Sequence, residues 1–309
     1  MRAEVRVSGA ADEGSAVRLS SAVFSEWRRL EKKFGYYDAA SEISRLNGLA
    51  GVQPVAVDPE TFGLLAKGLE LSSMTGGRFD ITFTPVWELW RQCARHNRLP
   101  SDSEIADALE LVDFNAVVLD SSSHTVRFTA GVSVNLGGIM REYALRRAAA
   151  VAEPERNGAA VMCSLGGDIA VLGERSKPWK FGIQNPENEG RLAGTVSFTG
   201  GFVVTTGAFE RFVEINGRRY CHIIDARTGR PVEGVSSVTA HFPDIGRSYP
   251  SSVVFLLGAA AAEKALRLLP GASFVYQSAG VRPYLYRPAA SGAEWTIFPQ
   301  EPKSGNSVK

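Results

Sequence analysis

Val132–Ala152, VSVNLGGIMREYALRRAAAVA, is where this chain declares its architecture. VSVNLGG reads as a strand running into a Gly-Gly turn, and IMREYALRRAAAVA as a helix that opens just after it. The downstream sequence repeats strand grammar: AAVMCSL, IAVLG, WKFGIQN, AGTVSFT, FVVTTG and RFVEI are strand candidates. Asn216-Gly217 is the favoured two-residue hairpin turn and leads into a further strand, RRYCHIID. SSVTAHF follows as another strand. Pro250 then opens one long helix, PSSVVFLLGAAAAEKALRLL, and three short strands close the core.

Upstream the balance shifts toward helices. AEVRVSG alternates like a short strand, and Val23, Trp27, Leu30 and Phe34 then recur on one helical face. Asp58-Pro59-Glu60 combines a capping carboxylate with a first-turn proline, and the helix it opens ends at Gly76-Gly77. SDSEIADALELV is a short capped helix, followed by two strands around a serine turn, AVVLD and HTVRFTA. The sum predicts an α+β fold, with antiparallel or mixed sheets packed against a few long helices. Residues 1–300 are expected to form a single domain of two intimately packed lobes, and EPKSGNSVK, 301–309, a disordered tail.

Composition narrows the function classes. The chain has 309 residues, 44% hydrophobic and 22% charged, enough for a sizeable core. With 34 basic and 33 acidic residues the formal charge is +1, which argues against nucleic acid or an anionic membrane as partner. No run of 18 apolar residues is present, so no membrane span is expected. Cys93, Cys163 and Cys221 are scattered, without the paired spacing of a zinc site or a disulfide framework. The start, MRAEVRVSGA, lacks an apolar signal region; as given the chain reads as cytoplasmic, or as periplasmic if its N-terminus was trimmed.

The usual catalytic signatures are absent; what remains is a set of glycine turns beside polar residues. Gly137-Gly138 at a helix start leaves backbone N–H groups free for a phosphate, with Arg141 one turn in; it also fits an ordinary strand-to-helix turn. In SLGGDIAVLG, Gly166-Gly167 lets a ligand approach, with Asp168 as acceptor, or forms a bulge or tight turn. In GGRFDITFTPVWELW an extended reading places Asp80, Thr82 and Thr84 on one face, as a ligand wall or as the solvent side of a half-buried strand. In CHIIDARTG, His222 is a structural histidine or a catalyst, and Asp225 to Gly229 form a turn with Asp225 as its Asx residue.

Taken in order, these segments resemble the ApbE family, the FAD:protein FMN transferases. FGYYDAASEISRLNG is similar to that family's Ser-Glu-Leu-Ser-x-Leu-Asn block, and GGRFDITFTPVWELW to its Gly-x-Phe-Asp-Ile-Thr block. VNLGGIMREYALRRAAA resembles Asp-Leu-Gly-Gly-Ile-Ala-Lys-Gly-Tyr-Ala. SLGGDI resembles the family's Gly-Gly-Asp/Glu turn, and TTGAFERFVEINGRRYCHIIDARTGRPV its Ser-Gly … His-Ile-Ile-Asp-Pro-Arg-Thr-Gly block. SYPSSVVFLLG sits where the family has Ala-Asp-Ala-Leu-Ala-Thr-Ala-Leu-x-x-Leu-Gly. The resemblance runs from Met1 to about Arg287 and implies a T-fold-related architecture.

It also implies a chemistry: FAD is bound and, with Mg²⁺, FMN passes to a threonine hydroxyl of an acceptor flavoprotein while AMP leaves. By resemblance, Tyr36, Ser44, Leu46, Asn47 and Phe79, Asp80 and Thr82 frame the flavin side. Asn135 and Arg141 lie at the helix start, and Gly166, Gly167 and Asp168 on the adenosine side. Thr206, Gly207 and His222 to Gly229 close over the ligand, with His222, Asp225 and Thr228 as the catalytic candidates. Mg²⁺ falls to Ser248, Ser252 and a backbone carbonyl at Gly138.

The departures concentrate near that metal. Ser248 and Ser252 stand where the family has Asp and Thr, and Asn135 where it usually has Asp. Arg141 replaces a lysine, Ala226 a proline, and Met140 and Glu142 two small residues. Mg²⁺ favours at least one carboxylate, so either Asp244 or Asp168 moves in or transfer is weakened. Two expectations follow: an active transferase, or a flavin-binding relative that holds FAD for a redox system without transferring it.

Overall fold

The central strands carry apolar side chains on both faces, and both faces are covered. The computed structural model describes residues 2–299 except positions 130 and 189. Its main sheet has seven strands, in the spatial order Ala3–Ser8, Ala160–Leu165, Asp168–Leu172, Gly201–Gly207, Ser237–Phe242, Ser273–Ser278 and Val281–Tyr286. Every neighbouring pair is antiparallel. Val161, Cys163, Phe202, Val204 and Phe274 point into a helical layer. Their alternating neighbours Ala160, Met162, Val203 and Val275 point the other way, onto a second sheet. That sheet, ordered Glu294–Ile297, Leu192–Phe198, Trp179–Gln184, covers the far face with Trp179, Val196, Phe198 and Trp295.

The helical layer follows its sequence signals closely. Glu13–Phe34 buries Leu19, Val23, Trp27, Leu30 and Phe34, the face expected from their spacing. The Trp27 indole donates to the Ala144 carbonyl at 3.0 Å, tying this helix to Gly137–Glu155. Asp58 caps Pro59–Met74 by accepting from the backbone N–H groups of Glu60 and Thr61. Ser101 and Glu104 form a reciprocal capping box at the start of Asp102–Leu109. A short third sheet, Val55–Ala56, Thr125–Phe128 and Val117–Asp120, flanks this layer.

Four local expectations are corrected. Residues 132–135 form no strand: the Val134 N–H and C=O both pair with the Asn47 side chain, at 2.8 and 2.9 Å, and Asn135 N–H donates to Ile81 O at 2.7 Å. A strand needs a ladder partner, and this segment meets a side chain and a loop. Residues 79–83 form a turn, and Thr84–Arg95 is a helix with Pro85 in its first turn. Asp80, Thr82 and Thr84 are accordingly all buried and form no solvent-facing strand edge.

The expected strand RRYCHIID breaks at His222-Ile223: Arg218–Cys221 pairs with Phe212–Ile215, whereas Ile224–Asp225 pairs with Arg230–Pro231. The long C-terminal helix is two, Ser251–Leu257 and Ala259–Leu266. Gly258 between them has φ +76°, a left-handed conformation that ends the first helix. The expected tail, 301–309, lies outside the described residues. Among the described residues, no helix is long and apolar enough to cross a membrane.

Candidate functional site

The first turn of Gly137–Glu155 is the centre of the site, and glycine is required there. A Cβ on Gly138 would stand 2.7 Å from the Phe79 ring, so the bare backbone lets that ring pack under the helix start. Asn135 accepts from the Gly137 N–H at 2.9 Å, satisfying one of the helix's free donors. The Asp80 carboxylate accepts from Thr82 N and Thr82 Oγ1, both at 2.7 Å, and from Phe114 N at 3.1 Å. Burial raises its pKa. Asp80 and Thr82 therefore fasten the Phe79 loop and direct none of their side-chain bonds outward.

Nearby, Ser44 Oγ donates to Tyr36 O at 3.2 Å, and Tyr36 packs edge-on against Tyr37 with ring centres 5.0 Å apart. Leu46 is a core residue, wholly buried and without a polar side-chain atom to offer. Asn47 spends its amide on Val134.

On the other side of the helix start, Arg141 reaches the Gly-Gly turn. Gly166 and Gly167 join two strands paired up to Leu165 and Asp168, with φ +62° and +94°. These left-handed values make it a two-residue hairpin turn, one of the two alternatives open from sequence. Arg141 donates to Gly166 O at 3.3 Å and lies 3.5 Å from the Asp168 carboxylate and 3.9 Å from Glu210. Asp168 is 3% exposed and accepts from Thr205 N at 2.8 Å. Burial, only partly offset by Arg141, pushes its pKa up to about 6, and burial also raises that of Glu210. A half-buried cation thus stands between a helix N-terminus and a glycine hairpin, an arrangement suited to a phosphate.

The stretch 222–229 folds over from a third direction. Asp225 accepts from Arg227 N at 3.0 Å, the Asx turn expected from sequence, and Gly229 closes it at φ +65°. A Cβ on Gly229 would approach Ile105 to 2.6 Å, while Trp90 donates to Gly229 O at 2.8 Å. Thr228 Oγ1 turns back to Asp225 O at 3.3 Å. Arg78 joins this turn to the rest: its carbonyl accepts from Ala226 N at 3.0 Å, its Nη1 donates to Leu256 O at 3.0 Å, and its Nε lies 3.7 Å from Asp225.

His222 sits 2.9 Å, through Nδ1, from the Arg211 carbonyl. A carbonyl only accepts, so Nδ1 carries the hydrogen and Nε2 the lone pair. Burial lowers its pKa to about 4, keeping the ring neutral. The Trp87 ring stands edge-on to it at 6.4 Å.

The fourth wall is the start of Ser251–Leu257. Ser252 Oγ donates to Gly138 O at 3.3 Å, and Ser248 Oγ donates to the carboxylate of Glu142. Thr206 and Ser251 share a buried hydroxyl–hydroxyl bond of 2.6 Å, and Gly207 gives the Phe209 ring room that a Cβ would fill at 2.5 Å. Asp244 is outside this cluster, exposed and capping its own loop at Gly246 N, 2.7 Å away.

The fold thus brings Gly138, Ser248 and Ser252 together on one side and Arg141 with Gly166 to Asp168 on the other. It does not join His222 to Asp225, whose bonds go to different partners. Arg78, Glu210 and Trp87 belong to the site without having been singled out from sequence.

Against this geometry, the ApbE family model matches residues 1–275. An FAD:protein FMN transferase of Klebsiella pneumoniae (strain 342) is 30% identical over 224 residues, 72% of this chain and 69% of that protein. One from Treponema pallidum (strain Nichols) is 31% identical over 263 residues, covering 78% of this chain and 72% of its own. The crystal structure of the ApbE protein of Thermotoga maritima superposes with a TM-score of 0.83 at 27% identity, over 92% of this chain and 93% of that one. With the mixed helix and antiparallel-sheet architecture, the glycine turns and the family match all in agreement, this chain belongs to the ApbE family.

Proposed function

We propose that this chain is an FAD:protein FMN transferase: it transfers FMN from FAD to a threonine hydroxyl of an acceptor flavoprotein and releases AMP. The observation that carries the reading is Arg141, held between the Gly137-Gly138 helix start and the Gly166 to Asp168 hairpin, where the pyrophosphate of FAD finds a cation beside the positive end of a helix. Residues 1–300 act in this reading as one transferase domain.

The chain's own groups account for positioning and for the proton. The Phe79 loop, with Tyr36 and the Ser44 segment, frames the flavin, and the 222–229 turn closes over the phosphates. The acceptor oxygen attacks the FMN phosphorus, the bond from that phosphorus to the bridging oxygen breaks, and AMP departs with the bridging oxygen. The hydroxyl proton passes to His222 Nε2, whose lone pair is free because Nδ1 is committed to Arg211 O. Asp225, held by Arg227 and Arg78, orients the turn.

Mg²⁺ is implied by the family resemblance, and the donors present are the hard oxygens it prefers: Gly138 O, Ser252 Oγ and Ser248 Oγ, with the Glu142 carboxylate in contact. Bound there, it would neutralise charge on the phosphates. Among the described residues, no group of three or more His, Cys, Asp or Glu side chains is arranged to hold a metal, so hydroxyl and carbonyl oxygens must contribute.

The test is incubation with FAD, Mg²⁺ and an acceptor domain carrying the threonine motif, read by in-gel flavin fluorescence. A fluorescent acceptor is expected. FAD binding without a labelled acceptor would overturn the reading and leave a flavin holder in a redox system.

A further inference from the structure

The family pattern puts a carboxylate at position 248 and a small residue at position 142; this chain has Ser248 and Glu142, and the two side chains touch. Glu142 is 6% exposed, which is uncommon for a glutamate unless something holds it. Both of its hydrogen bonds, from Ser248 Oγ and from Arg146 Nη2, fall on Oε1. Its Oε2 makes no hydrogen bond among the described residues. Arg146 is an imperfect partner, with its Nε buried and unbonded. A buried carboxylate held by an incompletely satisfied arginine costs stability unless something else uses it.

The placement fits a cation. On a helix, a side chain leans toward the preceding turn, so Glu142 covers the level of Gly138, four residues earlier. The Gly138 carbonyl is already met by Ser252 Oγ at 3.3 Å, and Glu142 by Ser248, four residues before Ser252. Hydroxyl, carbonyl and carboxylate are the hard oxygens that Mg²⁺ takes. A cleft of about 290 Å³ between Pro59–Met74 and Gly137–Glu155 is lined by Glu142 together with Glu60, Lys67 and Arg146.

We propose that Glu142, with Ser248, Ser252 and the Gly138 carbonyl, forms a divalent-cation site in which the carboxylate has moved from the 248–252 segment to the facing helix. The inference rests on the transferase reading for the cation's role but not for its binding. Arg146 neutralises Glu142 when no cation is bound and turns toward the cleft when one is.

The experiment is Mn²⁺ titration of the full chain, followed by loss of the free-ion EPR signal, without acceptor and with or without FAD. Glu142→Gln, which keeps the side-chain shape and an acceptor for Ser248, is expected to weaken Mn²⁺ binding at least about tenfold while metal-free FAD binding changes less than about twofold. Adding Ser248→Asp to Glu142→Gln is expected to restore Mn²⁺ binding by returning the carboxylate to the family position. Should Glu142→Gln fold poorly, Ser252→Ala gives a second reading, with an expected loss of several-fold. The proposal is overturned if Glu142→Gln binds Mn²⁺ like the unaltered chain, or if the unaltered chain binds none. Since no acceptor is present, absence of FMN transfer leaves this result untouched.

Discussion

Arg141 and Glu142 are neighbours in sequence, yet they serve different faces of the same helix start, about 100° apart. Arg141 is about one-quarter exposed, and its contacts with Gly166, Asp168 and Glu210 run from 3.3 to 3.9 Å. Glu142 is buried and bonded closely to Ser248 and Arg146. Loose, solvated contacts let a cation redirect its donors to an incoming anion with little loss. A buried carboxylate has no such freedom, and its partners are part of the fold. Two adjacent charges thus divide the labour, one for ligand and one for architecture and the cation it can accept.

The largest effect that would sharpen this contrast is at the buried anion on Arg141's side. Asp168 has its pKa raised from 3.8 to about 6, so the native state holds that proton more tightly than the unfolded chain does. Its favourable contribution is complete below pH 3.8 and is lost as pH rises through about 6. Asp168→Asn cannot ionise and keeps an acceptor for Thr205 N, so it should be more stable than the unaltered chain at pH 8, by up to about 3 kcal/mol. At pH 4 the difference should nearly vanish. Denaturant titrations at the two pH values measure it, and an equal gain at both would show that ionisation is not the cause.

Gly138→Ala tests the helix start that both residues share. Its methyl would enter the Phe79 ring's space, and a loss of about 2 kcal/mol in unfolding free energy is expected. A loss of similar size, about 2 kcal/mol, is expected for Glu142→Ala, which strips the Ser248 hydroxyl and Arg146 of their acceptor. Arg141→Ala should behave differently: at pH 4, where Asp168 keeps its proton, stability within about 0.5 kcal/mol of the unaltered chain, but FAD affinity at neutral pH down about tenfold by fluorescence titration. If Arg141→Ala unfolds the protein while Glu142→Ala is silent, the division of roles is wrong.

Much of the scaffold was legible in the sequence because its causes are local. Asp58-Pro59 and Ser101 with Glu104 cap helices within their own first turns, and the Val23-to-Phe34 face needs only helical spacing. Asn216-Gly217 favours left-handed angles locally, adopts them here, and the hairpin follows. The errors fell where a distant partner decides. VSVN is a strand by pattern but meets Asn47 and Ile81 instead of another strand. Asp80 and Thr82 alternate as a strand would, but the carboxylate closes a turn on Thr82 and Phe114. Gly258 falls inside one helix by pattern, yet its left-handed backbone splits that helix in two.

The same division holds at the site. By itself, the sequence determined the family, the order of the glycine turns and the loss of a carboxylate at position 248, since these are properties of residue type and spacing. Tertiary structure alone decided that Arg141 meets a hairpin 25 residues away and that Ser248 meets a carboxylate 106 residues away. Charges separated by that much chain are joined only when sheet and helices close around a common core, and the partner a buried charge finds there sets its chemistry.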